Sequence, residues 1–168
     1  MNFAQVIPEM AGSERDSDGR LVRLAFASAP PPKTPDINPW VIAVDGSECA
    51  LRAVDHAVLQ AVAMRSCALH LVHVQPWLSK EAAETGLAQR ALDATARARA
   101  LLDAKALPWR LHVAMGDPAE RIVELSRQLG ATTMVIGYQG LGAVESLLLG
   151  SVANKVMDLS PVPVMLVP

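Results

Sequence analysis

The chain has 168 residues, 51% of them hydrophobic, and balances 15 Lys and Arg against 17 Asp and Glu. That length suits one domain with a real core and excludes a chain disordered throughout. The near-neutral charge excludes nucleic-acid binding driven by phosphate contacts, and no apolar run approaches the roughly 18 residues of a membrane-spanning helix.

In chain order, the first boundary is compositional. Six of the 12 prolines precede Trp40. Proline fixes φ and lacks a donor, so the segment around Pro30, Pro31, Pro32, Pro35 and Pro39 can be neither a continuous helix nor an inner strand. Residues 1–39 therefore read as a mobile, Pro-rich N-terminal extension, in which Leu21–Ala27 is open to a short docking strand or helix. Acidic residues Glu9, Glu14, Asp16 and Asp18 stand where a secretory leader would be basic, so none is expected.

From Trp40 onward, strand-like and helix-like runs alternate. Val41-Ile42-Ala43-Val44 is a short apolar run, as for a strand buried on both faces. Ser47 can cap a helix whose apolar positions are Leu51, Val54, Val58, Ala61 and Val62. Residues 68–74 form a second strand, and 81–105 suit a long Ala-rich helix. Trp109–Met115 alternates, which predicts a strand with one wetter face near the sheet edge. Asp117-Pro118-Ala119-Glu120 is a helix start, with a capping Asp and Pro in the first turn. Ile122, Val123, Leu125 and Leu129 supply its buried stripe, and Gly130 its stop. Residues 132–136 make a fourth strand, Ser151–Leu159 a short helix and 162–167 a fifth strand. This order predicts an α/β fold, a five-stranded parallel sheet with helices on both faces in the Rossmann-like manner. Pro161 and Pro163 put the last strand at an edge, and its apolar edge is best covered by the same strand of a second copy, giving a homodimer.

Cys49 and Cys67 form no CxxC pair and read as free thiols of a reducing cytoplasm. His70 and His73, three apart on a strand, point to opposite faces and make a poor metal pair. Trp40, Trp77 and Trp109 near strand ends read as packing residues. Arg90, Arg97 and Arg99 read as a solvated helix face.

Four of the ten glycines, Gly137, Gly140, Gly142 and Gly150, fall in one window. The window opens where a buried strand ends and closes where a helix begins. Ligands of parallel sheets lie beyond the carboxyl ends of the strands, and a helix N-terminus presents free N–H groups to a phosphate. Gly150-Ser151 is then a phosphate seat, although a mobile loop with a glycine C-cap and a serine N-cap fits the same residues. Asp45, at the end of another strand, would face the same rim and accept from a ribose hydroxyl; its plainer role is a turn or cap. Two strand ends converging on one cleft favour the nucleotide reading.

Three segments together resemble the universal stress protein family. They are Val41-Ile42-Ala43-Val44-Asp45-Gly46-Ser47, Leu71-Val72-His73-Val74, and Gly137-x2-Gly140-x9-Gly150-Ser151. The resemblance spans residues 40–168, and its third segment is similar to the ATP-binding signature of the family's nucleotide-binding branch. It implies that Ala43 and Asp45 flank the nucleoside, with Asp45 on the ribose, and that the Val74 backbone meets adenine. It further implies that Ile136 and Gly137 line the ribose and phosphates and that Gly140 approaches the phosphates. Gly150, Ser151, Val152 and Ala153 would hold the phosphate tail. ATP or ADP, with or without Mg²⁺, is the implied ligand, and a dimer through the last strand the implied assembly. Tyr138 and Gln139 depart from the small or basic residues common between the first two glycines, and Ala153 lacks a hydroxyl that some members carry.

Other chemistries lack their motifs. There is no GxxxxGK[ST], no GxGxxG opening the first helix and no GxSxG elbow. A response regulator would need an acidic pair after the first strand, where the chain has only Asp45, a phosphoacceptor Asp after the middle strand, and a lysine after the last strand, where it has Pro168. The leading expectation is a cytoplasmic ATP-binding stress-response protein acting as a nucleotide-dependent switch or sensor. One alternative is slow ATP hydrolysis or phosphoryl transfer at the same cleft, for which the loop offers only Glu145. The other is an adaptor dimer that binds an unidentified protein partner. Neither nucleic acid nor a membrane is expected as a partner.

Overall fold

Central strand β3 (Pro39–Ala43) shows why the sheet forms two cores. Val41 and Ile42 are both fully buried, on opposite faces. The structure is a computed structural model that describes residues 7–65, 67–141 and 148–168. Its other strands are β1 (Glu9–Arg15), β2 (Leu21–Ala27), β4 (Ala68–Gln75), β5 (Trp109–Met115), β6 (Thr133–Gly137) and β7 (Val164–Val167). The helices are α1 (Glu48–Met64), α2 (Lys80–Ala104), α3 (Pro118–Leu129) and α4 (Ser151–Leu159). The sheet order is β1-β2-β5-β4-β3-β6-β7. The five strands from β3 onward are parallel, as expected, with α1 and α2 covering one face and α3 and α4 the other. Ile42, Leu71 and Leu111 face the first pair of helices; Val41, Val72 and Met134 face the second.

Helix boundaries follow local chemistry. The Ser47 hydroxyl accepts from the Ala50 amide at 3.1 Å, and Asp117 accepts from the Glu120 amide at 3.0 Å, each satisfying a first-turn donor. Gly130 ends α3 at φ 61°, a left-handed conformation natural to glycine. Of the stripe expected for α1, Leu51, Val54, Val58 and Ala61 are buried, but Val62 is exposed. Position 62 lies at the margin of that stripe, beside Leu51 in angle and in the last turn of α1.

The N-terminal region departs most from expectation. The sheet has seven strands, not five, because β1 and β2 form an antiparallel hairpin and β2 pairs antiparallel with β5. Residues 9–27 are therefore a hairpin of the sheet, not a mobile extension. Leu24 and Phe26, two apart, and Leu21 at the start of the strand all enter the α1/α2 core, which fixes β2. β5 consequently lies inside the sheet, and its wetter face is not a sign of an edge. The proline-rich segment behind the hairpin is also tied down. The Ser28 amide donates to the Trp109 carbonyl at 3.0 Å, and the Ala68 amide to the Ile37 carbonyl at 2.9 Å. At the other end, β7 does occupy an edge.

Two surface readings also change. Arg99 is buried, not solvated: its guanidinium donates to the Leu92 carbonyl and the Thr95 hydroxyl and lies 5.8 Å from the Trp109 ring centroid. A planar cation with fixed donors can be buried where it meets an aromatic face. Trp40 and Trp109 are core residues, but Trp77 is exposed, with the Arg20 guanidinium 5.9 Å from its ring. Among the described residues no helix is long and apolar enough to cross a membrane.

Candidate functional site

The direction of strand succession changes between β3 and β6, the point beyond whose carboxyl ends ligands of such sheets bind. A cavity of about 680 Å³ occupies it. All ten residues expected at the site line this one cavity: Ala43, Asp45, Val74, Ile136, Gly137, Gly140, Gly150, Ser151, Val152 and Ala153. Gly142 and Glu145 lie outside the described residues.

Each wall has a local cause. Beyond β3, the Val44 amide still donates to the Val72 carbonyl, then Gly46 turns at φ 89° into the Ser47 cap of α1. The turn leaves the Asp45 carboxylate bridging two backbone amides. Oδ1 accepts from Ser47 at 2.9 Å and Oδ2 from Leu141 at 2.9 Å. Asp45 thus performs the turn role and also holds the glycine segment to the rim. At the far side, the Gly150 amide donates to the Tyr138 carbonyl at 2.9 Å, and the Gln139 side-chain amide donates to the Leu148 carbonyl at 2.7 Å. These bonds pinch together the two ends of the segment.

Helix α4 begins at Gly150 without a side-chain cap. Its first-turn amides have no carbonyl of their own helix to bind, and they open on the cavity beside Ser151. Free first-turn amides beside a cavity are the arrangement expected at the Gly150-Ser151 pair. The glycines serve different ends. A Cβ on Gly137 would stand 2.7 Å from the Cys49 carbonyl carbon, so this glycine is required by the approach of α1. A Cβ on Gly140 would stand 2.5 Å from Asp45 Oδ2, so this one keeps the carboxylate in place.

Asp45 is the only ionisable side chain on the cavity wall among the described residues. The sequence reading missed the wall formed by Pro76, Pro118, Ile122, Leu141, Leu148 and Leu149. Pro118 and Ile122 belong to α3, which reaches the cavity by packing on β3, β4 and α4; no local pattern announces that.

A second polar system lies on the same sheet face. His70 Nδ1 is 2.9 Å from His112 Nε2, and His70 Nε2 is 2.9 Å from Asp36 Oδ2. Arg110 donates to Asp36 Oδ1 at 2.6 Å. Burial, partly offset by Asp36, holds the His70 pKa below the ordinary value. Burial, with help from His70 and Arg110, lowers that of His112 to about 4. Burial pushes the Asp36 carboxyl up, but the Arg110 hydrogen bond and His70 together hold it below the usual range. His73 faces the other way, with Nδ1 2.9 Å from the Val44 carbonyl oxygen, so the two strand histidines are indeed separated. Among the described residues no group of three His, Cys, Asp or Glu is arranged to hold a metal. Cys49 and Cys67 are free and half-buried, and burial raises the Cys67 thiol to about 11.

The family model described as "Universal stress protein family" matches residues 38–168. A universal stress protein of Thermus aquaticus is 37% identical over 134 residues, which cover 76% of this chain and 96% of that protein. The crystal structure of a universal stress protein in complex with cAMP superposes with a TM-score of 0.60 at 27% identity, covering 79% of this chain and 97% of that one. The universal stress protein of Archaeoglobus fulgidus in complex with dAMP superposes with a TM-score of 0.62 at 24% identity, covering 77% and 97%. The two-sided parallel sheet, the crevice at β3 and β6 and the match over three quarters of the sequence agree: the chain belongs to the universal stress protein family.

Proposed function

We propose that this protein binds an adenine nucleotide, ATP in the first instance, in the crevice at β3 and β6 and acts as a nucleotide-dependent switch or sensor of a cytoplasmic stress response. One observation carries the reading: ten residues from four separate chain segments converge on a single cavity whose floor is an uncapped helix start. The cavity volume, about 680 Å³, falls in the range usual for small-ligand sites. The cAMP bound by a relative at 27% identity supports a nucleotide as the occupant.

In this reading Ala43 and Asp45 flank the nucleoside and the Val74 backbone meets the base. Ile136 and Gly137 lie along the ribose, and Gly140 approaches the phosphates. The amides of Ser151, Val152 and Ala153, with Gly150 before them, hold the phosphate end. The switch is an exchange of partners. A ribose hydroxyl that donates to Asp45 displaces the Leu141 amide, and the glycine segment changes shape through that differential contact. With a carboxylate as the only ionisable group on the described wall, binding, not hydrolysis, is the role the site suits. β7, at its exposed edge, is the surface for a second copy.

The test is to purify the protein natively, release any ligand with acid, and identify it by chromatography and mass spectrometry. Near-stoichiometric ATP or ADP, lost in Gly140→Ala, is the expected result. Protein that carries no nucleotide and binds none when ATP or AMP is added defeats the reading.

A further inference from the structure

We propose that a second cavity, floored by β1, β2, β5 and β4 and roofed by α3, binds a small neutral molecule with an apolar body and one hydrogen-bond donor, which His112 accepts. The inference does not rest on the nucleotide reading.

The cavity holds about 310 Å³. Its floor is one row of the sheet. Gly12, Ala25, His112 and Val72 are successive cross-strand partners in the order β1-β2-β5-β4, so they share a face. Gly12 and Ala25 are too small to fill the space below α3, and a Cβ at Gly12 would meet nothing within 4 Å. Leu125 and Leu129, one turn apart on α3, form the roof. The family match begins at residue 38, so the hairpin that supplies Gly12 and Ala25 lies outside it. Among the described residues only Val72 lines both this cavity and the crevice.

One polar atom of this wall is left over. Against its burial, Arg110 holds Asp36 as a carboxylate, which can only accept. His70 Nε2, 2.9 Å from Asp36 Oδ2, therefore carries hydrogen. Burial keeps His70 neutral near pH 7, so its Nδ1 is bare and accepts from His112 Nε2 at 2.9 Å. Burial above all keeps His112 neutral too, with a pKa of about 4, and its Nδ1 is then a bare acceptor. That nitrogen has no hydrogen-bond partner among the described residues. So weak a base takes no proton from a hydroxyl near neutral pH, so the site suits binding and not catalysis.

Charge and size narrow the occupant. At the mouth, Arg23 meets Glu124 at 2.9 Å and Glu14 at 3.7 Å, and Arg121 meets Glu124 at 2.7 Å. Both cations are matched by carboxylates, which leaves an anion no partner. A cavity of roughly 150 Å³ accommodates benzene, so this one admits a substituted ring. A phenol has the required body, donor and neutrality.

The experiment is fluorine-detected NMR titration of the full chain with 4-fluorophenol, which carries a donor, and 4-fluoroanisole, which lacks one. The phenol is expected to bind about tenfold more tightly, because the ether leaves the His112 acceptor unpaired. Ala25→Leu, which fills the floor, abolishes phenol binding and leaves the urea midpoint in place. In ¹⁵N spectra of the imidazoles, His112 Nδ1 resonates as an unprotonated nitrogen and shifts when the phenol is added. Equal affinity for the two probes, or a proton on His112 Nδ1 near neutral pH, overturns the acceptor role and the proposal with it. Phenol binding that survives Ala25→Leu puts the probe elsewhere and overturns the site, as does a failure of both probes to bind.

Discussion

Glycine spacing is the most informative local signal in this chain, and the structure divides it into separate physical demands. Gly137 closes β6 where α1 starts, and a methyl group there would collide with the Cys49 backbone at 2.7 and 2.8 Å. Backbone cannot swing aside as a side chain can. Gly137→Ala is thus expected to destabilise the fold by about 1–3 kcal/mol, the usual cost of overpacking. Urea unfolding measures it, and an unchanged midpoint would show that α1 shifts freely. Gly140→Ala differs in kind, because its methyl group meets only the tip of Asp45. It should cost little stability while breaking the Asp45 contact to Leu141 and weakening nucleotide binding. The pair of variants separates a packing glycine from a binding glycine within one motif. Sequence alone cannot, since both positions obey the same spacing.

Strands and helices from β3 onward were legible because each carries its own boundary chemistry: Ser47 and Asp117 as caps, Gly130 as a stop, and buried runs such as Val41-Ile42. The hairpin was not. β1 is exposed at all seven positions, so no alternation marks it, and the prolines after β2 suggest a detached segment. Its place is set by β2, whose buried side chains continue the core past β5. Phe26 is 3% exposed there. If the hairpin is an integral part of the fold, Phe26→Ala should lower stability by about 3–5 kcal/mol, as for other buried aromatics. A loss below about 1 kcal/mol in chemical denaturation, the scale of a surface substitution, would mean that the hairpin is a passenger. Covering the β5 edge also leaves β7 as the apolar sheet edge available to a second copy, because β1 presents Glu9, Glu14 and Arg15.

At the scale of the whole molecule, one sheet face carries two polar systems, the cavity beyond its carboxyl ends and the Arg110–Asp36–His70–His112 chain that ties the proline-rich segment to β4 and β5. The first was legible as a convergence of strand ends. The second was not, because residues 34 and 42 positions apart from His70 meet it only through the sheet register. His70 and His112 both have folded pKa values below the ordinary value of 6.5, that of His112 near 4, with burial the leading cause. Between about pH 6.5 and about 4 the unfolded chain therefore binds protons that the folded chain refuses. Stability is full above pH 6.5, falls as the pH is lowered through that window and stops falling, for this pair, below the folded values. The limiting slope is about 1.4 kcal/mol per pH unit for each proton so displaced. Asp36 adds to the loss at still lower pH, because its folded pKa is depressed and its stabilisation disappears as the carboxylate is protonated. His112→Gln keeps a side-chain amide that can donate toward His70 but removes a titrating ring. Urea midpoints measured from pH 7.5 to 4 should fall steeply in the parent and more gently in the variant. Parallel curves for the two would show that the buried histidine pair does not set the acid sensitivity of the fold.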